Sequence, residues 1–167
     1  LHGGGGRDLL RGGTGNDTLF GHTGNDTLLG GSGHGVLEGF EDNDSLSGGS
    51  GADSFVWSQL GLATAPRDSG VGAPARDLVE DFGAGDVLDF SAIDARAGGL
   101  TNEAFRFIGT DDFTAGKGQG GQLRYEVEGA NTIVQLDVTG DGIVDMEVEL
   151  VGIHTLRQDA LGHDFIL

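Results

Sequence analysis

Between Gly3 and Val56 an apolar side chain returns at every ninth position: Leu10, Leu19, Leu28, Leu37, Leu46 and Phe55. That spacing is neither the 3.6 of an amphipathic helix nor the 2 of a half-buried strand. It marks a chain built from whole repeated units. The blocks are GGGGRDLLR (3–11), GGTGNDTLF (12–20), GHTGNDTLL (21–29), GGSGHGVLE (30–38), GFEDNDSLS (39–47) and GGSGADSFV (48–56), with the consensus G-G-x-G-x-D-x-L-x. The first six residues of each block predict a tight turn. Glycine admits positive φ and close backbone approach, and Asn16, Asn25 and Asn43 tolerate left-handed conformations. The last three residues predict a short strand whose middle side chain points inward. Strands of this kind, stacked in parallel, form a ladder one side chain thick.

After the repeats the pattern changes. Residues 57–76 carry both prolines and no period, and read as a surface loop. DLVEDF and DVLDFSAI predict two strands around the turn Gly83-Ala84-Gly85, and residues 100–108 predict a short helix or strand. GQLRYEVEG (121–129) and NTIVQLDV (131–138) alternate apolar and polar residues, as half-buried antiparallel strands do. The turn TGDG (139–142) leads into a run where Val144, Met146, Val148 and Leu150 face one way, a hairpin signal. The expected core here is Phe82, Leu88, Phe90, Ile93, Phe105, Phe107, Leu123, Tyr125, Ile133, Leu136 and Leu150. The chain thus divides into a repeat unit (1–57), a loop (58–76) and a second β unit (77–167).

Composition sharpens this picture. There are 34 glycines in 167 residues, and glycine loses the most backbone freedom on folding. One apolar side chain per nine residues cannot offset that loss, so something other than hydrophobic burial must hold the repeats. The net charge is −18, from 27 acidic and 9 basic side chains, and the acids fall on the repeat: Asp8, Asp17, Asp26, Asp44 and Asp53 close five of the six turns. A turn of this type presents several carbonyl oxygens and one carboxylate. Calcium takes 6–8 oxygen ligands of those kinds. One turn cannot supply them, whereas two stacked turns can, so binding and folding become one event.

Other chemistries are excluded or disfavoured. The chain has no cysteine, hence no disulfide, thiolate zinc site or cysteine nucleophile. It lacks H-E-x-x-H and G-x-S-x-G, and His2, His22, His34, His154 and His163 are isolated in sequence, which points to a non-catalytic module. The acidity disfavours nucleic acid and anionic membrane surfaces, and no apolar run approaches the ~20 residues of a membrane span. Asp137, Asp141 and Asp145 suggest an EF-hand, but the twelfth position is Val148 rather than glutamate, which favours a plain hairpin turn. The first residues show no signal-peptide pattern. The chain opens inside a repeat, so an upstream catalytic domain of a longer polypeptide is expected.

These stretches carry a resemblance. The repeats, GADSFVW (51–57), DLVEDFGAGDVLDFSAID (77–94), GQLRY (121–125), DVTGDGIVDMEVEL (137–150) and DFIL (164–167) resemble the C-terminal domain of the serralysin family (peptidase M10), bacterial secreted zinc endopeptidases with RTX, or hemolysin-type, nonapeptide repeats. Secreted toxins, lipases and alginate epimerases share the repeat. The resemblance implies an all-β chain: a right-handed parallel β-roll, two repeats per coil, followed by an antiparallel β-sandwich-like cap. It implies several calcium ions between turns one coil apart, held by the five aspartates and by oxygens of Gly4, Gly6, Gly13, Gly15, Gly21, Thr23, Gly24, Gly30, Gly31, Ser32, Gly33, Gly39, Glu41, Gly48 and Ser50. A further ion at the exit of the roll matches Asp53, Asp68 and Asp77. Asp164, Phe165, Ile166 and Leu167 match an uncleaved signal for a type I secretion apparatus, and also read as a last strand. The implied function is a module that folds on calcium outside the cell for a secreted zinc metalloprotease. The alternative is an accessory carbohydrate-binding module of a polysaccharide-modifying enzyme of alginate epimerase type, or of a lipase. For an anionic polymer that alternative needs a basic stripe, and the nine basic residues are scattered.

Departures from the consensus matter. Gly35 stands where the fourth aspartate belongs, and His22, Phe40 and Asp42 replace glycines. With two repeats per coil, Asp8, Asp26 and Asp44 form one row of turns, and Asp17, Gly35 and Asp53 the other. The second row is expected to bind calcium more weakly, and Phe40 with Asp42 to distort the fifth turn.

Overall fold

The computed structural model describes residues 1–58, 68–95, 104–115, 121–159 and 162–167. Its strands are β1 (His2–Gly5), β2 (Leu9–Thr14), β3 (Thr18–Thr23), β4 (Thr27–Ser32), β5 (Val36–Glu41), β6 (Ser45–Ser50), β7 (Ser54–Val56), β8 (Asp77–Val79), β9 (Val87–Asp89), β10 (Arg106–Phe107), β11 (Gln122–Glu128), β12 (Asn131–Asp137), β13 (Met146–Leu150), β14 (Gln158–Asp159), β15 (Gly162–His163) and β16 (Phe165–Ile166). Among the described residues no helix is long and apolar enough to cross a membrane.

The nine-residue period becomes a roll because alternate strands go to opposite sheets. One sheet has the order β1-β3-β5-β7-β9-β16, the other β10-β11-β12-β13-β8-β6-β4-β2. Within the repeats each parallel pairing is offset by 18 residues, as in Leu10↔Leu28 and Leu19↔Leu37. One coil is therefore two repeats. The eighth-position side chains stack into two facing ladders. Leu10, Leu28, Leu46 and Val79 are in register in one sheet, and Leu19, Leu37, Phe55, Leu88 and Phe165 in the other. All are buried.

DLVEDF and DVLDFSAI do contain strands, but each joins a different sheet. β8 lies parallel to β6, and β9 parallel to β7. They complete a fourth coil of the roll. The antiparallel strands β11, β12 and β13 then continue the eight-stranded sheet, because β13 pairs with the free side of β8. The buried Arg76 reinforces the junction, 2.9 Å from Glu128 and 3.6 Å from Glu147 of the antiparallel strands.

The expected downstream core residues join the repeat leucines in one apolar cluster, Ile133 apart. Phe107 and Tyr125 are partly buried against it, and the other nine residues are buried. Trp57 stacks on Phe90 at 5.1 Å, and Phe165 contacts Phe107 at 5.1 Å. Of the segment expected to form a helix or strand, residues 100–103 lie outside the described residues, and Arg106–Phe107 is strand. Asp164–Leu167 supplies β16, which closes the six-stranded sheet against β9.

Candidate metal centre

The turns carry the chemistry. At the second and fourth positions of every repeat φ is positive: Gly4, Gly6, Gly13, Gly15, Gly24, Gly31, Gly33, Gly49 and Gly51 lie between 95° and 139°. The three substituted positions hold the same conformation, with φ of 81° at His22, 71° at Phe40 and 80° at Asp42. The fifth turn is therefore strained rather than reshaped, at about 1–2 kcal/mol per side chain. Ring stacking offsets part of this: His22 stacks on His2 and on Phe40 at 5.4 and 5.2 Å. His2 Nδ1 and His22 Nε2 come within 3.1 Å of each other, a pairing that needs the 18-residue offset to be seen. Asp42 has no such stack. Asp42→Gly is expected to raise stability in saturating calcium by about 1 kcal/mol, read from urea unfolding.

The sixth-position aspartates form ladders. The Asp8 amide donates to Asp26 Oδ1, the Asp26 amide to Asp44 Oδ1 and the Asp44 amide to Asp77 Oδ1, each at 2.7 Å. In the second row the Gly35 amide donates to Asp53 Oδ1 at 2.6 Å, and the Asp53 amide to Asp86 Oδ1 at 2.9 Å. Asp17 has no carboxylate one coil on, because Gly35 stands there.

The second oxygen of each repeat aspartate decides the fit to a metal. The Oδ2 atoms of Asp8, Asp17, Asp26, Asp44 and Asp53 are buried and have no hydrogen-bond partner among the described residues. A buried carboxylate oxygen without a donor or counter-ion is costly. Each lies beside the first glycine of its own turn, where a Cβ would intrude. At Gly21 that atom would sit 2.6 Å from Asp26 Oδ2 and 2.8 Å from the carbonyl oxygen of Gly39, one coil on. At Gly12 it would sit 2.9 Å from Asp17 Oδ2 and 2.5 Å from the carbonyl oxygen of Gly30. Gly30, Gly39 and Gly48 are equally crowded by backbone or carboxylate oxygen. The spaces between coils are thus lined by carboxylate and carbonyl oxygen. Among the described residues no three acidic or histidine side chains converge as a metal cluster, so any ion here draws on backbone oxygen too. This donor set suits calcium rather than zinc. Thr23, Ser32, Glu41 and Ser50 close the third positions of their turns at strand ends.

Comparison with known proteins agrees. No curated protein matches the chain in sequence. Residues 2–37 and 36–55 match the RTX calcium-binding nonapeptide repeat, in 4 copies. These residues are RTX repeats. Two solved structures, both of subunits of the Azotobacter vinelandii mannuronan C5-epimerase, share the fold. The AlgE6R2 subunit is 28% identical, with TM-score 0.58, over 90% of this chain and 83% of that one. The AlgE6R3 subunit is 25% identical, with TM-score 0.52, over 87% and 70%. The chain is all-β and has the β-roll fold of these modules.

Beyond the matched residues, the RTX roll places the exit acids differently from the resemblance. Asp77 belongs to the first row, after Asp44. Its Oδ2 accepts the Trp57 indole N–H at 2.7 Å, and its own amide donates to Ser69 Oγ. Asp68 accepts the Ser58 amide at 2.9 Å and adds its charge to those on Asp44 and Asp77. Asp53 lies in the other row, with Asp86, which the sequence reading missed. The available signal was spacing: Asp86 follows Asp77 by nine residues, and Leu88 follows Val79 by nine. Asp137 and Asp145 cap the hairpin turn. Asp137 accepts the amides of Gly140, Asp141 and Gly142, and Asp145 Oδ2 those of Val138 and Thr139.

Packing so many carboxylates into the RTX roll makes their charge expensive. Burial pushes Asp44 up to about 7, with Asp26, Asp42 and Asp68 adding repulsion against the opposing Asp26 amide. Burial likewise raises Asp77 well above its ordinary value, and raises Asp26 and Asp86. A carboxyl raised in the fold contributes stability below its unfolded value, near 4, and loses it as pH rises through the folded value. In chelator, acidification from pH 8 to below 5 is therefore expected to increase β structure. In calcium the sign reverses, since the ion displaces these protons. The calcium midpoint should climb as pH falls through about 7, measured by titration at successive pH values.

Proposed function

We propose that this chain is a calcium-dependent folding module of a larger secreted polypeptide, unfolded at the low calcium of the cell interior and folded outside. The observation that carries this reading is the double row of buried Oδ2 atoms without hydrogen-bond partners, set among carbonyl oxygens. Asp8, Asp17, Asp26, Asp44 and Asp53, with oxygens of the turn glycines, hold the ions. Bound calcium supplies positive charge between coils. The chain's own residues do the rest: glycines at positive φ bring the turns together, and the amide ladder sets the spacing of the carboxylates.

For the parent enzyme, we favour a polysaccharide-modifying type. Support comes from the likeness to modules of a mannuronan epimerase, which spans nearly the whole chain. Titration with mannuronate oligomers in saturating calcium tests this, since calcium must first offset the −18 charge. Heat of binding supports an accessory polysaccharide-binding role; silence leaves the folding role alone. A serralysin-like protease remains the second reading, supported by DLVEDFGAGDVLDFSAID and the terminal DFIL. An H-E-x-x-H motif upstream of Leu1 in the parent would establish it.

Export through a type I apparatus fits Asp164–Leu167 as a signal read from the unfolded chain. Deleting it is a poor test, because Phe165 is a buried core residue. Ile166 is 43% exposed, so Ile166→Asp in the full-length parent separates the roles. Loss of export with calcium-induced folding retained supports the signal; undiminished export argues for a strand only.

A further inference from the structure

We propose that His2 and His22, brought together by the pairing of β1 with β3, form a surface site for a divalent transition cation of the zinc or copper type, separate from the calcium turns.

The coil creates the pair. β1 lies parallel to β3, with His2 opposite Phe20 and Gly4 opposite His22. Leu19 is buried in the roll, so Phe20 and His22 stand on the outer face of the strand, where His2 meets them. There His2 Nδ1 lies 3.1 Å from His22 Nε2. Two nitrogens held by one tetrahedral zinc at ~2.0–2.1 Å stand ~3.3–3.4 Å apart. Adjacent nitrogens on a square-planar copper at similar bond lengths stand ~2.8–3.0 Å apart. The observed separation falls between the two, so a modest rotation of the rings lets an ion take the place of a shared proton.

Three further observations favour a ligand role. First, packing fixes both rings. His2 lies against Phe20 at 5.0 Å, His22 stacks on Phe40 at 5.2 Å, and the two imidazoles are within 15° of parallel. Rings already held in place lose little freedom when they bind. Second, His22 keeps a φ of 81° at a position where the consensus turn has glycine. Backbone strain of this kind concentrates at functional positions, and glycine would remove the strain and the ring together. Third, the charges of Asp26 and Glu38 reach His22, so the surroundings attract a cation.

The donors set the selectivity. Imidazole suits zinc, copper and nickel, whereas calcium and magnesium take oxygen. The pair therefore stays open while calcium fills the turns. Among the described residues no third histidine or carboxylate converges with it, so water completes the coordination. β1 ends the six-stranded sheet, and the Gly6 amide just beyond it donates to the Thr23 carbonyl at 2.8 Å. An ion that joins His2 to His22 clips this edge strand to the next coil.

The test is isothermal titration of the whole chain with zinc chloride in saturating calcium at neutral pH. One zinc ion per chain is expected, with an affinity that does not fall as calcium is raised further. His2→Gln and His22→Gly should each weaken zinc binding at least ~10-fold, while His154→Gln should leave it unchanged. His22→Gly restores the consensus glycine, so its calcium-induced circular dichroism should be kept, which separates loss of the site from loss of the fold. In the unaltered chain zinc should slow hydrogen exchange at the Gly6 amide and shift the imidazole resonances of His2 and His22 before those of the other histidines. Failure of the folded chain to bind zinc, unchanged zinc affinity in both variants, or displacement of zinc by calcium would each overturn the proposal.

Discussion

Gly31→Ala is expected to abolish the folded roll even in saturating calcium. Gly31 has φ of 104°, and a Cβ there would lie 2.1 Å from the Gly13 carbonyl oxygen and 3.0 Å from the Gly13 carbon. Both contacts are to backbone of the neighbouring coil, so no rotamer change relieves them. The coils would have to separate, which breaks the β2–β4 ladder and widens the spacing of Asp17 from the turn above. The left-handed conformation adds about 1–2 kcal/mol, and the total should exceed about 4 kcal/mol, among the largest single-substitution effects. Gly4→Ala is the control. Its φ is 109°, but nothing lies within 4 Å of the added atom, so it should cost the conformational strain alone. Urea unfolding in calcium separates the two; equal losses would mean that coil contact is not what the glycines provide.

Asp26→Ala should raise the calcium midpoint of folding at least ~10–100-fold, the range seen when even an outer-shell partner of a metal is lost. Asp26 is 2% exposed and serves two steps of the first row. Its Oδ1 accepts the Asp8 amide, and its Oδ2 lies beside Gly21 of its own turn, where an added Cβ would also meet the Gly39 carbonyl oxygen one coil on. Alanine leaves the Asp8 amide without its acceptor, worth about 1–3 kcal/mol, and strips a charge from both steps. Asp17→Ala should do much less, because Asp17 already faces Gly35. Gly35 is not among the positive-φ residues, and a Cβ there would meet Leu37 Cδ1 at 3.0 Å and Asp53 Oδ1 at 3.1 Å. Gly35→Asp is thus allowed by the backbone and should narrow the gap between rows. Equal midpoints for Asp26→Ala and Asp17→Ala would show that the rows are not arranged this way.

The repeat was legible because its chemistry is local. A turn of glycines, a closing aspartate and an inward leucine follow one another within nine residues, and the 18-residue coil follows from alternation. The fourth coil was hidden for two reasons. Thirty-three residues separate Leu46 from its partner Val79, where 18 separate Leu28 from Leu46, so a fixed-period reading loses register. The 81–89 turn has also exchanged its first glycine for Asp81 and its fourth for Ala84. What survived was the aspartate and the apolar residue two positions on, at Asp77 and Val79 and again at Asp86 and Leu88. The antiparallel strands were readable from their alternation. Their union with the roll was not, because the pairing of β13 with β8 joins segments about seventy residues apart. His22, Phe40 and Asp42 misled in the other direction. Phe40 and Asp42 suggested a distorted turn, yet all three keep the positive φ of the glycines they replace; stacking between coils supports His22 and Phe40, and Asp42 holds it without a stack.

Circular dichroism of the whole chain in excess chelator, then with calcium and separately with magnesium added, tests the central claim most directly. The account predicts little β signal in chelator at neutral pH, a cooperative gain with calcium, and little gain with magnesium, which demands octahedral geometry and gives up its waters reluctantly. Full β signal in chelator at neutral pH would contradict it.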